Sequence, residues 1–189
     1  MRKAILIPFV FGISLAVVGV LWAGAAEPAP QAPAADPQFG GRNMELVSQW
    51  WGTFAAVEIS GTYAYLTQGQ RLSIFDISDP GNIDLVAQSE VLTNHSENLR
   101  VSGDYAFLAD PGIYAYGQEA GSRLHVMDIS DPAAPYEVAY LENDGNRAWD
   151  IELYNGFAFL ADELNLWVVD VSDPLNPTSV KRMNLAGGE

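Results

Sequence analysis

The chain has 189 residues, 49% of them hydrophobic and 17% charged, a composition that supports a packed core and excludes a disordered or coiled-coil protein. Nine Lys and Arg stand against 24 Asp and Glu, for a net charge of -15, so nucleic acid and anionic membrane surfaces are excluded as partners and cations are favoured. With no cysteine, disulfides, thiolate catalysis, cysteine-held zinc or iron-sulfur sites and a lipidated cysteine anchor are excluded as well.

In chain order, Arg2 and Lys3 precede an apolar run over residues 4–26, and Ala23 and Ala25 fit a cleavage rule of the Ala-x-Ala type. Residues 1–25 therefore read as a signal peptide; the run is also long enough to serve as an uncleaved membrane anchor. Either reading places the rest of the chain outside the cytoplasmic membrane, as a periplasmic, secreted or cell-surface protein. Residues 26–42 contain EPAPQAPAADPQFGG, a Pro/Ala-rich linker that resists helix and sheet. The folded part is expected over 43–189, a length that suits one domain.

The segment MELVSQW at 44–50 has the pattern of the last strand of a four-stranded unit, with no first three strands before it. Beyond it the chain repeats itself. ISGTYAYLT at 59–67, VSGDYAFLA at 101–109 and LYNGFAFLA at 153–161 align, and they are followed by RLSIFDISDPGNIDLVA, RLHVMDISDPAAPYEVA and NLWVVDVSDPLNPTSVK. The period is about 42 residues, and one insertion of about ten residues in the second copy explains its irregular spacing. Each unit holds four short segments rich in β-branched and aromatic residues, bounded by Gly, Asn, Asp and Pro. Segments such as LWVVDV are apolar on both faces, which predicts sheets sandwiched between neighbours. Four strands in about 42 residues is the anatomy of a propeller blade. The predicted fold is all-β and β-propeller-like, with three four-stranded blades plus the N-terminal orphan strand.

The turn after each third strand has its own physical logic. In Asp76, Ser78, Asp79 and Pro80, in Asp128, Ser130, Asp131 and Pro132, and in Asp170, Ser172, Asp173 and Pro174, the Asp and Ser side chains can accept backbone N–H groups. Proline fixes φ and has no N–H to leave unpaired. These twelve residues are read as structural. The combined pattern, L-x-V-x-D followed by [IV]-S-D-P-x-x-P, resembles the LVIVD repeat of exported and cell-surface bacterial β-propeller proteins. The resemblance covers residues 43–185, with a departure at Ile83 where the other copies have Pro135 and Pro177. It implies architecture rather than activity, and it carries over no catalytic residue.

Three units are fewer than the roughly four to eight blades of a closed ring. The expectation is a partial propeller from a truncated gene or a fragment, with self-association through the open blade face as the alternative.

The loops between second and third strands, and those entering the next blade, share one rim. It gathers His95, Glu97, Asp110, Tyr114, Tyr116, Glu119, Asp150, Asp162 and Glu163. Glu97, Asp110, Tyr114, Tyr116, Asp150 and Asp162 are the candidate binding residues. Asp110 and Asp162 hold equivalent places in their units, and carboxylate oxygens of this kind suit calcium, although no EF-hand or Gly-rich calcium repeat accompanies them. They otherwise read as solvated loop carboxylates, with no cofactor required. The inserted loop at 110–121 brings two tyrosines, suited to a protein or glycan partner. Trp50, Trp51 and Trp149 are candidates for an exposed aromatic platform, whereas Trp167 falls in strand register and is expected to pack between blades.

Catalytic readings find little support. His95 and His125 are the only histidines, and His125 lies in a strand pattern. No serine elbow with a positioned base is visible. The function expected is a noncatalytic extracytoplasmic recognition or scaffold module; the alternative is a calcium-supported or hydrolytic propeller acting on its acidic rim.

Overall fold

The computed structural model describes residues 47, 49, 50, 52–115, 118–120, 122–143, 147–162 and 164–184. The expected signal segment and linker lie outside them. Among the described residues there is no helix, and the strands form three four-stranded antiparallel sheets. The first blade is β1 (Val57–Ser60), β2 (Tyr63–Gln68), β3 (Arg71–Asp76) and β4 (Asp84–Gln88). The second begins with β5 (Asn98–Ser102) and β6 (Tyr105–Asp110), is interrupted by the hairpin β7 (Ile113–Ala115) and β8 (Gln118–Ala120), and resumes with β9 (Ser122–Asp128) and β10 (Tyr136–Asn143). The third is β11 (Ala148–Tyr154), β12 (Phe157–Asp162), β13 (Asn165–Asp170) and β14 (Thr178–Asn184). Each sheet is a meander whose strands neighbour one another in chain order, with the inserted hairpin standing apart as its own two-stranded sheet.

The first turn of each blade needs a left-handed residue. Gly61 (φ 61°) and Gly103 (φ 59°) supply it in blades one and two, whereas blade three uses Asn155 (φ 49°) followed by Gly156 (φ 78°). Asparagine and glycine are the residues that enter this region at least cost, and two in succession make the tight turn of a two-residue hairpin.

Strands β3 and β9 are buried on both faces, β9 because a blade packs on each side. In contrast, β13 alternates buried and half-buried residues, with blade two covering only its Trp167 and Val169 face, which corrects the expectation of a strand sandwiched on both faces. Between blades one and two, Tyr65, Leu72 and Ile74 meet Leu99, Ala106, Leu108 and Met127. Between blades two and three, Phe107, Leu124 and Val126 meet Ile151, Leu160, Trp167 and Val169. Removing such side chains from water stabilises the fold by about 1.5–3 kcal/mol each. A β-bulge recurs between the third and fourth strands of all three blades, at Ile74/Phe75, Glu137/Ala139 and Val168/Val169. The residue skipped on the fourth strand is a valine each time: Val86, Val138 or Val180. Val86 packs onto the first inter-blade core and Val138 onto the second, while Val180 is 56% exposed.

Of the orphan strand expected over 44–50, residues 47, 49 and 50 are described and lie outside every sheet. Trp50 instead sets its ring edge-on to Phe75 at 5.3 Å, and its indole N–H donates to the carbonyl of Ile83 at 3.1 Å. Phe54 approaches Phe75 at 6.2 Å. Two aromatic side chains thus cover the face of β3 turned away from blade two.

Candidate functional site

The twelve turn residues fold locally into the same unit three times. Asp76, Asp128 and Asp170 accept the N–H of Ser78, Ser130 and Ser172 at 2.8, 2.9 and 2.9 Å. Asp79, Asp131 and Asp173 accept the N–H of Gly81, Ala133 and Leu175 in the same way. The hydroxyls of Ser130 and Ser172 donate to the neighbouring carboxylates at 2.6 Å, so in these turns serine is a donor where it was expected to accept. Hydrogen bonds from Ser78 hold the Asp76 carboxyl below its ordinary range, and bonds from Ser130 and Ser172 do the same for Asp128 and Asp170. Pro80, Pro132 and Pro174 follow directly in each turn.

The predicted rim carboxylates have four separate tasks. Glu97 pairs with the Nε2 of His95 at 3.0 Å on the surface. Asp150 accepts the N–H of Ile151 at 2.9 Å and a bond from the side-chain amide of Asn98. Asp162 accepts the N–H of Leu164 at 3.0 Å and of Asn165 at 2.5 Å, closing its own loop. Asp110 is fully buried, which corrects the expectation of a solvated loop carboxylate. Among the described residues no three His, Asp or Glu side chains are grouped to hold a metal. Tyr114 falls on β7, while Tyr116 and Glu163 lie outside the described residues. Trp50 sits on blade one and Trp149 on β11 beneath the Arg147 guanidinium at 5.6 Å. They do not assemble into the platform expected of them, and Trp51 lies outside the described residues.

Asp110 is the entry to the strongest constellation in the structure. Its Oδ2 accepts bonds from Nε2 of His125 and from the amide of Asn94, both at 3.0 Å. Its Oδ1 accepts the N–H of Gly112 at 2.7 Å. On the other side of the imidazole, Nδ1 of His125 donates to Oε1 of Glu137 at 2.6 Å. Asp110 ends β6, His125 is central in β9 and Glu137 opens β10, so the pairs span three adjacent strands. Burial works against the imidazolium, and the bonds to Asp110 and Glu137 outweigh it, raising the His125 pKa above the ordinary histidine value.

The same slot is filled differently in each blade. Ser73, His125 and Trp167 are the residue between Leu and the next apolar position of the repeated third strand. In blade one Ser73 donates to Oε1 of Gln68 at 2.8 Å, and the Gln88 amide donates to Gln68 at 2.7 Å and to Ser73 at 3.0 Å. In blade three the Trp167 indole donates to Ser179 at 2.8 Å and packs between blades, with the Arg182 guanidinium over its ring at 5.4 Å. Only blade two fills the slot with charge. Both His125 nitrogens are engaged and the ring is fully buried, so the cluster lacks the free lone pair and access that a general base needs. It acts as a clasp across three strands.

The first strands carry a second polar row. Glu58, Arg100 and Glu152 are equivalent in the repeat, and Arg100 donates to Glu152 at 2.6 Å across the boundary between blades two and three. Sequence reading missed this row and the His125 clasp. Equivalent positions Glu58, Arg100 and Glu152 were a signal in the aligned copies.

The repeat windows also match known proteins. The LVIVD repeat family matches residues 52–90, 94–141 and 145–184, each window centred on one of the three sheets. Among solved structures, the computationally designed Ika4 protein is 14% identical, with 77% of this chain and 81% of that chain covered and a TM-score of 0.54. The computationally designed Ika8 protein is 12% identical, with 68% of this chain and 36% of that one covered and a TM-score of 0.51. This chain therefore spans about a third of the length of Ika8 and most of Ika4. At such identities the likeness concerns the fold alone. No curated protein matches the chain.

Proposed function

The chain belongs to the LVIVD repeat family, and from that membership we propose that it is a noncatalytic recognition or scaffold module working outside the cytoplasmic membrane. The observation that carries the reading is the hairpin β7–β8, inserted between β6 and β9 on a frame that is otherwise repeated blade by blade. A rigid scaffold with one elaborated loop is the arrangement by which recognition surfaces are commonly presented. The groups with chemical potential support the same reading, because Asp110 and His125 are buried in mutual bonds.

Export is tested by fractionating cells that produce the full chain and sequencing the N-terminus of the product. Recovery outside the cytoplasmic membrane supports the proposal, with a new N-terminus at Ala26 if the signal is cleaved; retention in the cytoplasm overturns it. Recognition is tested by cosedimentation with purified cell-envelope material. Replacing residues 111–121 with a short Gly-Gln turn, as found between β2 and β3 at Gly69 and Gln70, is expected to abolish it. Undiminished cosedimentation of a folded variant would refute the role of the hairpin.

A further inference from the structure

At the opposite ends of the strands from the inserted hairpin, blades two and three enclose a cleft of about 340 Å3. Ser102 and Phe107 line it from blade two, and Tyr154, Asn155, Phe157 and Ser172 line it from blade three. None of its lining residues is charged. This volume is at the small end of the ligand-pocket range, about 300–1,000 Å3.

The cleft is where blade three departs from the repeat. Blades one and two turn through Ser60-Gly61-Thr62 and Ser102-Gly103-Asp104, whereas blade three has Tyr154-Asn155-Gly156. Three consecutive replacements therefore fall in one hairpin, and all three line the cleft. Asn155 is the only non-glycine residue with positive φ among the described residues. It places an amide where the other blades have no side chain. Gly156 completes the left-handed pair of the turn with φ 78°, and the turn passes the blade-three loop at ordinary contact distance, 3.4 Å from Ser172 to where a Cβ would stand.

The chemistry of these groups selects a class of ligand. Tyr154 is 67% exposed and offers a flat amphipathic ring at the mouth. Phe107 and Phe157 add apolar wall, and the amide of Asn155 and the hydroxyl of Tyr154 have no partner among the described residues. The hydroxyl of Ser172 donates to Asp170, which leaves its lone pairs to accept. A neutral lining on a chain of net charge -15 disfavours anions, and no carboxylate in the lining invites a cation. Extended peptides are commonly held by main-chain pairing at a free strand edge, and this cleft is bounded by hairpin turns. A hexose ring combines an apolar C–H face with a rim of hydroxyls that both donate and accept. We infer that the cleft between blades two and three is a binding site for a neutral hexose unit, stacked on Tyr154 and hydrogen-bonded by Asn155 and Ser172.

The test is titration of the folded protein with the methyl glycosides of glucose, galactose, mannose and N-acetylglucosamine, followed by amide NMR. At least one is expected to shift the Asn155, Gly156 and Ser172 amides, with a dissociation constant of about 1 mM. Tyr154→Ala and Asn155→Gly are each expected to weaken binding at least about tenfold; glycine keeps the positive φ that position 155 requires. Restoring the blade-two turn with Tyr154→Ser, Asn155→Gly and Gly156→Asp is expected to eliminate binding while the amide spectrum of blades one and two is retained. No shift with any of the four sugars at about 100 mM, two decades above that constant, overturns the inference. So does binding that survives the triple substitution. Because hairpin and cleft lie at opposite ends of the strands, either reading can fail without the other.

Discussion

Replacing Asp110 with asparagine would isolate the clasp of blade two with almost no change in shape. The carboxylate accepts three bonds, from His125, Asn94 and Gly112, and an amide can accept on one side only. If its oxygen faces Gly112, its NH2 confronts two donors; if it is reversed, it confronts the backbone N–H. Breaking a buried ion pair by removing one partner typically costs about 3–5 kcal/mol. The lower end applies here, because a neutral His125 can still donate through Nδ1 to Glu137 and turn a bare Nε2 toward the new amide. A loss of ~3 kcal/mol with a urea slope of ~2 kcal/mol/M lowers the midpoint by ~1.5 M. The assay is urea denaturation followed by tryptophan fluorescence near pH 6.

The pH dependence supplies an independent check on the same substitution. The folded His125 pKa is raised, so its stabilisation is fully present below the unfolded histidine value of about 6.5 and is lost as pH rises through the folded value. Wild-type stability should therefore fall as the pH is taken above neutrality, and the Asp110→Asn variant should lose less over that interval. Arg123, on the same face as His125, is held by Thr93 and Glu142. A midpoint shift below ~0.5 M, which is ~1 kcal/mol at this slope, would refute the assignment of the clasp as a major stabilising element. Stability that is flat or rising through the same pH interval would refute it equally.

Three other outcomes are expected. Trp167→Ala removes a fully buried ring between blades two and three and should destabilise by about 3–5 kcal/mol in chemical denaturation; a loss under ~1 kcal/mol would contradict its place in that core. The carboxyls of Asp128 and Asp170 are depressed by their serine hydrogen bonds, so their contribution is present above the unfolded value of about 3.9 and is lost as pH falls through the folded values. Ser130→Ala with Ser172→Ala should therefore flatten the acid limb of the stability curve, and an unchanged limb would count against that origin. Millimolar calcium should leave the thermal midpoint unchanged, because Asp110, Asp150 and Asp162 serve separate bonds; a rise in midpoint would show a site these contacts do not reveal.

The blades were legible in the sequence because each unit closes on its own short-range signals. The Asp-x-Ser-Asp-Pro turn needs only neighbours two residues away, and the apolar patterns of β3 and β9 match strands covered on both faces, whereas the same pattern in β13 overstated its cover. The clasp was not legible for a physical reason. Asp110 and His125 become neighbours only once the insertion between them is excluded from the sheet, and Glu137 reaches the ring next to a bulge that displaces simple alternation. Reading Asp110 as a solvated rim residue followed from its place beside a loop, where Asn94 folds over it. Trp50 could not be placed either, since its contact with Phe75 depends on how the segment before β1 crosses the sheet. The cleft falls between these cases. The change from Ser-Gly to Tyr-Asn is plain in the aligned copies, but its nearness to Ser172 comes from the curvature of two separate turns.

The repeated bulge gives the molecule a direction in time as well as in space. Val86 and Val138 are each half-buried, packed against the core that the next blade in the chain completes. As the polypeptide leaves the ribosome, each fourth strand emerges before the surface that will shelter its valine. Assembly of the blades is thus a succession of brief vacancies, each closed by the next 40 or so residues to be made, at roughly 5–20 residues per second. A pause in synthesis just after β4 would hold Val86 and its core exposed, whereas the same pause after β11 would find that core already closed.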